Sequence, residues 1–213
     1  EGRPASADER QVLQHYTGWG GLPASFNLEA PDSAWAERAR RLQAMPSAED
    51  YESARASVNN SHYTEIHVIG ARWQAICGVG FTGGRVLEPA AGIGHFIGAM
   101  PENPAEHSTV TAIEIDRLSG RILQALYGAA GVDARVAPFE KTPLPENWFD
   151  LVIGNVPFGK YQVADQSNRA YAHYYFLPVA DTSANLQPRR AFIHCMLISA
   201  FASATISGPR RRP

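Results

Sequence analysis

The chain has 213 residues, of which 45% are hydrophobic and 19% charged, so it can bury one full core and a small N-terminal addition. Its formal net charge of −2 provides no overall basic surface, and nucleic-acid binding would therefore need a locally basic groove. No apolar run approaches the ~20 residues of a membrane span, and neither the histidines nor the two cysteines have metal-ligand spacing, which argues against membrane and metal partners. The low cysteine usage is typical of a reducing, cytoplasmic compartment.

Residues 1–60 are predicted to form an N-terminal extension of helices and loops. Asp8 is expected to cap a first helix, which Gly18 would end. Ser47, with an acidic residue three positions later, predicts a capped helix over 48–57.

A second pattern begins after residue 60 and predicts a domain over 61–200. Thr64 is expected to cap a helix whose apolar residues repeat along one face: Ile66, Ile69, Trp73 and Ile76. Short apolar strands then alternate with helices. The predicted strands are 85–88, 110–115, 133–137 and 149–153, and the predicted helices are 93–99 and 117–127, the latter with a buried stripe of Leu118, Ile122, Ala125 and Leu126. This alternation predicts parallel strands in a doubly wound α/β sheet, to which 191–198 would add another strand or a buried helix.

The turn after the first strand has the composition of a ligand-binding loop. Gly92 and Gly94 let the backbone approach a ligand closely, but the third glycine of a dinucleotide-binding loop is absent. This argues against NAD and favours a ligand without a pyrophosphate. S-adenosylmethionine fits, because its ribose hydroxyls need a carboxylate at the end of the second strand, where Glu114 stands. A simple tight turn is the alternative for the glycines, and helix capping is the alternative for Asp116.

The loop after the fourth predicted strand has the composition needed to hold a conjugated amine. The side-chain oxygen of Asn155 and the backbone carbonyl of Val156 are two acceptors for its N–H groups, which would free the nitrogen lone pair for attack on a methyl group. Pro157 would stiffen the loop, and Phe158 would stack on an extruded base. Asn-x-Pro turns are common, but the position after this strand, between two glycines, favours a catalytic role. No cysteine nucleophile lies nearby, so methylation at a ring carbon is not expected.

The chain resembles a known family, the N6-adenine DNA methyltransferases. The resemblance is to the type found beside helicases, or fused to them, in antirestriction and mobile-element proteins of phages and plasmids. The resemblance covers roughly 8–181. It is carried by the following segments: Tyr16-Thr17-Gly18-Trp19-Gly20-Gly21-Leu22, Asn60-Ser61-His62-Tyr63-Thr64-Glu65, Glu88-Pro89-Ala90-Ala91-Gly92-Ile93-Gly94-His95-Phe96, Glu114-Ile115-Asp116, Phe139-Glu140, Gly154-Asn155-Val156-Pro157-Phe158-Gly159 and His173-Tyr174-Tyr175-Phe176.

The resemblance implies a Rossmann-like class I methyltransferase sheet, S-adenosylmethionine as cofactor, DNA as substrate and a helicase region as a partner. It implies catalytic roles for Asn155, Val156, Pro157 and Phe158. It also implies cofactor contacts by Tyr63, Thr64, Glu88, Pro89, Gly92, Gly94, Phe96, Glu114, Phe139 and Glu140.

The chain departs from this family in three places. Val156 replaces the usual proline, and Glu140 is a candidate substitute for an acidic residue that is missing after the third strand. Further strands and a target-recognition region are expected where the chain instead continues with Gln187-Pro188-Arg189-Arg190 and an irregular basic tail over 201–213. The sheet is therefore expected to be incomplete at the C-terminus, in a piece of a larger protein.

Two other interpretations of the sequence remain open. Similar loops serve enzymes that methylate another conjugated amine, such as that of an RNA base or a glutamine amide. A non-catalytic or truncated module of the same fold would bind DNA or a partner.

Overall fold

The computed structural model describes residues 3–29, 33–44, 47–58, 63–145 and 148–155. The helices are α1 (Ala7–Leu13), α2 (Ser33–Gln43), α3 (Ala48–Ser57), α4 (Ile66–Gly78), α5 (His95–Gly98), α6 (Glu102–Glu106) and α7 (Arg117–Tyr127). The strands are β1 (Gly84–Glu88), β2 (Ser108–Glu114), β3 (Asp133–Val136) and β4 (Leu151–Val152).

The four strands form one parallel sheet in the order β3-β2-β1-β4. Val86 in the centre of β1 pairs with Val110 on one side and with Leu151 on the other. The chain thus moves outward from β1 to β3 and then returns to the opposite side of β1. The predicted parallel α/β fold is confirmed, and the strand order reverses at β1, where open α/β sheets place their ligand sites.

The two faces of β1 are buried in different clusters, because neighbouring side chains on a strand point to opposite faces. Val86 packs with Ile69, Trp73 and Ile76 of α4. Leu87 packs on the other face with Ile113, Phe149 and Val152. Both strand residues are almost fully buried, as expected for a strand of a parallel sheet that is covered on both faces.

The N-terminal extension packs on α7. Leu13 and Tyr16 lie against the cluster of Ile93, Ile122 and Leu126. A series of edge-to-face ring contacts continues from Tyr16 through Trp19, Phe26 and Tyr51, and so ties the loop after α1 to α3. Helices α1 and α3 therefore both lie against α7.

The capping predictions have mixed outcomes. Ser47 caps α3 as predicted, because its hydroxyl accepts a hydrogen bond from the Asp50 amide. Ser6, not Asp8, caps α1, and it forms a capping box with Glu9. The prediction of Thr64 as a cap is also wrong, since α4 starts after Glu65 with no side-chain cap.

Some elements and buried faces differ from the prediction. Helices α2 and α6 were not predicted, and the helix predicted over 93–99 is shortened to α5. Ile66 is 56% exposed, whereas Arg72 on the same helix is buried. In α7, Leu123 is fully buried while Leu118 and Ala125 are only half-buried, so the buried face is rotated from the predicted stripe. The segments predicted over 191–198 and 201–213 lie outside the described residues.

Within the described ranges, no helix has both the length and the apolar character needed to cross a membrane.

Candidate functional site

A pocket opens at the carboxyl edge of the sheet, where β1, β2 and β4 end side by side. Glu88 ends β1, Glu114 ends β2, and Asn155 follows β4 after a short extension of the ladder. The pocket has a volume of about 260 Å³. This is slightly below the ~300–1,000 Å³ typical of ligand sites. The three polar side chains that the sequence placed on separate strands therefore share one cavity.

Most of the site residues predicted from the sequence line this pocket. They are Tyr63, Thr64, Glu88, Pro89, Gly92, Phe96, Glu114, Phe139, Glu140 and Asn155. Val156, Pro157 and Phe158 lie outside the described residues, so their predicted roles stay predictions. Several lining residues were not predicted, and those with no local sequence signal come from α3: Ser53, Ala56 and Ser57.

Gly92 occupies a position in the turn where the backbone conformation favours glycine. Its φ of 57° lies in the left-handed region, and a Cβ there would come within 3.1 Å of Cε1 of Tyr63. The Gly92 amide donates a hydrogen bond of 2.6 Å to Oε2 of Glu114. The turn is thus held against the end of β2 with its backbone facing the pocket.

Gly94 has a different reason to be glycine. It also has a positive φ, of 86°, but a Cβ there would lie 2.7 Å from Cδ1 of Leu123 and from Cε2 of Tyr127. Gly94 is not among the pocket-lining residues. The close approach that it permits is to α7, so packing rather than ligand contact explains this glycine.

Glu114 organises the rim of the pocket with both carboxylate oxygens. Oε2 accepts from the Gly92 amide, and Oε1 accepts from the Asp116 amide at 2.7 Å. Burial raises the pKa of Glu114, while these hydrogen bonds act in the opposite direction. Asp116 caps α7 through the Ser119 amide, which confirms the alternative considered for it, and it also lines the pocket.

Glu88 is the most buried carboxyl group of the site, with 2% of its surface exposed. Burial raises its pKa well above the usual value of 4.5, and the neighbouring charge of Glu114 adds to the increase. Its Oε2 atom has no hydrogen-bond partner among the described residues. A buried polar atom of this kind at a pocket wall is available to a ligand.

Replacing Glu88 with glutamine should change how stability depends on pH. Because the pKa of Glu88 is raised on folding, its stabilising contribution is complete below the unfolded pKa near 4.5 and is lost as the pH rises through the folded pKa. We expect Glu88→Gln to become progressively more stable than wild type over that window, by about 1.4 kcal/mol for each unit of pKa difference. Thermal unfolding of both proteins between about pH 4.5 and pH 8 measures this; a difference in melting temperature that does not change with pH would contradict it.

A buried arginine supports the loop that carries Asn155. Nη1 of Arg72 donates a hydrogen bond of 3.0 Å to the carbonyl of Gly154, and its guanidinium lies 5.5 Å from the centre of the Phe96 ring. The Ile153 amide donates to the Leu87 carbonyl at 3.0 Å, which extends the pairing of β4 with β1. The backbone just before Asn155 is therefore fixed from both α4 and β1.

The ionisable side chains that line the pocket are mostly carboxyl groups. Glu88, Glu114, Asp116 and Glu140 line it, whereas its described lining contains no lysine or arginine. Phosphate groups are normally bound by basic side chains or by backbone amides at a helix N-terminus. Here the helix that follows the glycine turn has only four residues. The pocket therefore suits a ligand with hydroxyl groups and a positive charge better than one with phosphates.

No family model matches the chain. The chain is 28% identical over 174 residues to Defense against restriction protein B of Escherichia phage P1, a match that covers 81% of this chain. The chain spans only about 6% of the length of that relative.

Several solved structures similar to this chain are described as methyltransferases. The type I restriction-modification methyltransferase subunit of Streptococcus thermophilus is 16% identical, with a TM-score of 0.43 over 63% of this chain and 33% of that one. A protein of Methanococcus maripaludis described as an S-adenosylmethionine-dependent methyltransferase is 19% identical, with a TM-score of 0.35 over 42% of each chain.

The residues of the pocket fit S-adenosylmethionine. Gly92 lines the pocket with bare backbone, Glu114 has carboxylate lone pairs for ribose hydroxyls, and a lining rich in carboxyl groups suits a sulfonium cation. Apolar surface from Phe96 and Ile115 provides contact for the uncharged parts of the cofactor. Among the described residues, no group of three or more histidine, cysteine, aspartate or glutamate side chains is arranged to hold a metal ion.

Proposed function

We propose that this chain transfers the methyl group of S-adenosylmethionine to the N6 amine of adenine in DNA. The observation that carries the proposal is that Asn155 lines the same acidic pocket as Gly92 and Glu114. The cofactor, when bound, supplies an electrophilic methyl group. The similarity to a phage protein named for defence against restriction supports DNA as the substrate.

In this proposal each part of the site has a separate task. Gly92, Glu88 and Glu114 hold the cofactor. Asn155 accepts a hydrogen bond from the target amine through its side-chain oxygen, and the backbone carbonyl of Val156 accepts a second one. Two acceptors on one conjugated nitrogen favour its pyramidal form and make its lone pair available, so positioning and electrostatics supply most of the rate increase.

The base must leave its stack in the DNA to reach this pocket. Pro157 is proposed to stiffen the loop, and Phe158 is proposed to stack on the extruded base. Stacking of a base on an aromatic ring contributes ~1–3 kcal/mol. No strong general base is needed, because the amine becomes acidic once it is methylated. We also propose that the domain, residues 61–200, works in the cytoplasm beside a helicase region of a larger protein.

The test is transfer of labelled methyl from S-adenosylmethionine by the full 213-residue chain. The substrates are duplex DNA, the same duplex with N6-methyladenine at every adenine, single-stranded DNA, RNA of the same sequence and a glutamine-containing peptide. We expect label in unmodified DNA and its recovery as N6-methyladenine after digestion. Labelling of RNA or peptide instead would identify a different conjugated amine as the target, and cofactor binding without any transfer would indicate a non-catalytic module.

A further inference from the structure

Helix α3 belongs to the N-terminal extension, yet it contributes to the wall of the cofactor pocket. Ser53, Ala56 and Ser57, all from this helix, line the pocket together with residues from the ends of β1 and β2. Ala54, the residue after Ser53, is fully buried. Ala56 is exposed, so its methyl group faces open space next to the cavity rather than packed protein.

The hydroxyl of Ser53 connects α3 directly to the rim of the pocket. It donates a hydrogen bond of 2.7 Å to Oδ1 of Asp116 and accepts one of 3.1 Å from the Arg117 amide. Asp116 in turn follows Glu114, whose Oε1 accepts from the Asp116 amide. Helix α3 is thus coupled to the carboxylate that we propose to hold the cofactor ribose.

A group of ion pairs holds α3 on α7. Asp50 is buried, and its carboxylate contacts Nη1 of Arg121 at 2.9 Å and Nε of Arg117 at 3.6 Å. Arg117 also contacts Glu49 at 2.6 Å. Because Asp50 is removed from water, losing its charge should matter more than losing an exposed pair. We call these residues, Glu49, Asp50, Arg117 and Arg121, the α3 clamp.

We infer that α3 is a structural part of the cofactor-binding site and that the α3 clamp holds it in place, so that cofactor affinity depends on a helix from the N-terminal extension. The inference rests on the proposed function, since it concerns the same cofactor. The ligand class is an adenosyl sulfonium or its thioether product. The two substitutions that test it, Asp50→Asn and Ala56→Met, leave the glycine turn, Glu114 and Asn155 unchanged.

Two variants of the full 213-residue chain test the inference by calorimetric titration with S-adenosylmethionine and S-adenosylhomocysteine. Asp50→Asn removes the charge at the centre of the α3 clamp. Ala56→Met narrows the pocket from α3 while keeping the α3 clamp and a good helix former at an exposed position. We expect the Kd for both ligands to rise about tenfold in each variant, equivalent to about 1.4 kcal/mol.

The matched control is Glu52→Gln, which removes a carboxylate of the same helix whose contact, at 3.8 Å, is with Arg55 of α3 itself. Its affinity should equal that of wild type. As a readout independent of affinity, saturating cofactor should slow tryptic cleavage after Arg55 in wild type and in Glu52→Gln.

The outcomes separate this inference from the proposed function. If wild type binds neither ligand, the proposed function fails. If wild type binds and either Ala56→Met or a folded Asp50→Asn retains its affinity, α3 does not have the role that we infer. Circular dichroism establishes folding, and should Asp50→Asn be unfolded, Ala56→Met decides alone because it leaves the α3 clamp intact.

Discussion

Asn155→Ala should reduce methyl transfer to DNA by about 100-fold or more while leaving the Kd for S-adenosylmethionine within about twofold of wild type. The reason is that the variant loses the side-chain acceptor proposed for the target amine, and removing one preorganised hydrogen-bonding group from a reacting centre commonly costs 10²–10³ in rate. The backbone that places it would remain, since Arg72 and Leu87 hold the loop through main-chain atoms. Single-turnover transfer of labelled methyl, together with calorimetric titration, measures both quantities.

Two variants control this experiment. Asn155→Asp keeps acceptor oxygens at the same position and should retain more activity than Asn155→Ala. Asn103→Ala removes an exposed amide from α6, away from the pocket, and should behave as wild type. If wild type and Asn155→Ala transfer methyl equally, including at zero, the catalytic role of Asn155 in this chain is refuted.

Glu114→Ala should have a double effect, on stability and on cofactor binding. The substitution leaves the buried amide of Asp116 and the partly buried amide of Gly92 without their acceptor. Each unsatisfied buried group costs about 1–3 kcal/mol, so the melting temperature should fall by several degrees. Loss of the carboxylate proposed for the ribose should raise the Kd for S-adenosylmethionine at least about tenfold, from the loss of hydrogen bonds to a charged acceptor.

Glu114→Gln separates the two effects because it retains one acceptor oxygen but carries no charge. We expect its stability to lie between wild type and Glu114→Ala, with weakened cofactor binding. Glu106→Ala, which removes an exposed carboxylate at the end of α6, is the control for a change of net charge. Unchanged cofactor affinity in folded Glu114→Ala, measured by calorimetry, would remove Glu114 from the cofactor site.

The folded structure also explains why these predictions concern one site. Strand order β3-β2-β1-β4 makes β1 the neighbour of both β2 and β4, although 65 residues separate the partners Val86 and Leu151. Glu88, Glu114 and Asn155 follow or end these three adjacent strands. Parallel pairing then brings all three to the same edge, which is the requirement for a cofactor and a target amine to share a pocket.

The sequence by itself determined the elements whose causes are local. Alternating apolar runs and helices predicted the parallel sheet, Ser47 and Asp116 marked two helix starts, and the glycine turn with Glu114 marked the pocket. Long-range packing decided the rest. The direction that Ile66, Arg72 and Leu123 face depends on what each helix packs against, and the spacing along a single helix does not contain this information.

The contribution of α3 is the clearest case of a feature that only tertiary structure decides. Ser53 meets Asp116 across 63 residues of sequence, and nothing in the composition of α3 distinguishes it from a solvated surface helix. Its place at the pocket results from ion pairs with α7 and ring contacts with the loop after α1. Side chains that meet only after the chain has folded leave no periodic or local signal, because their partners are set by topology.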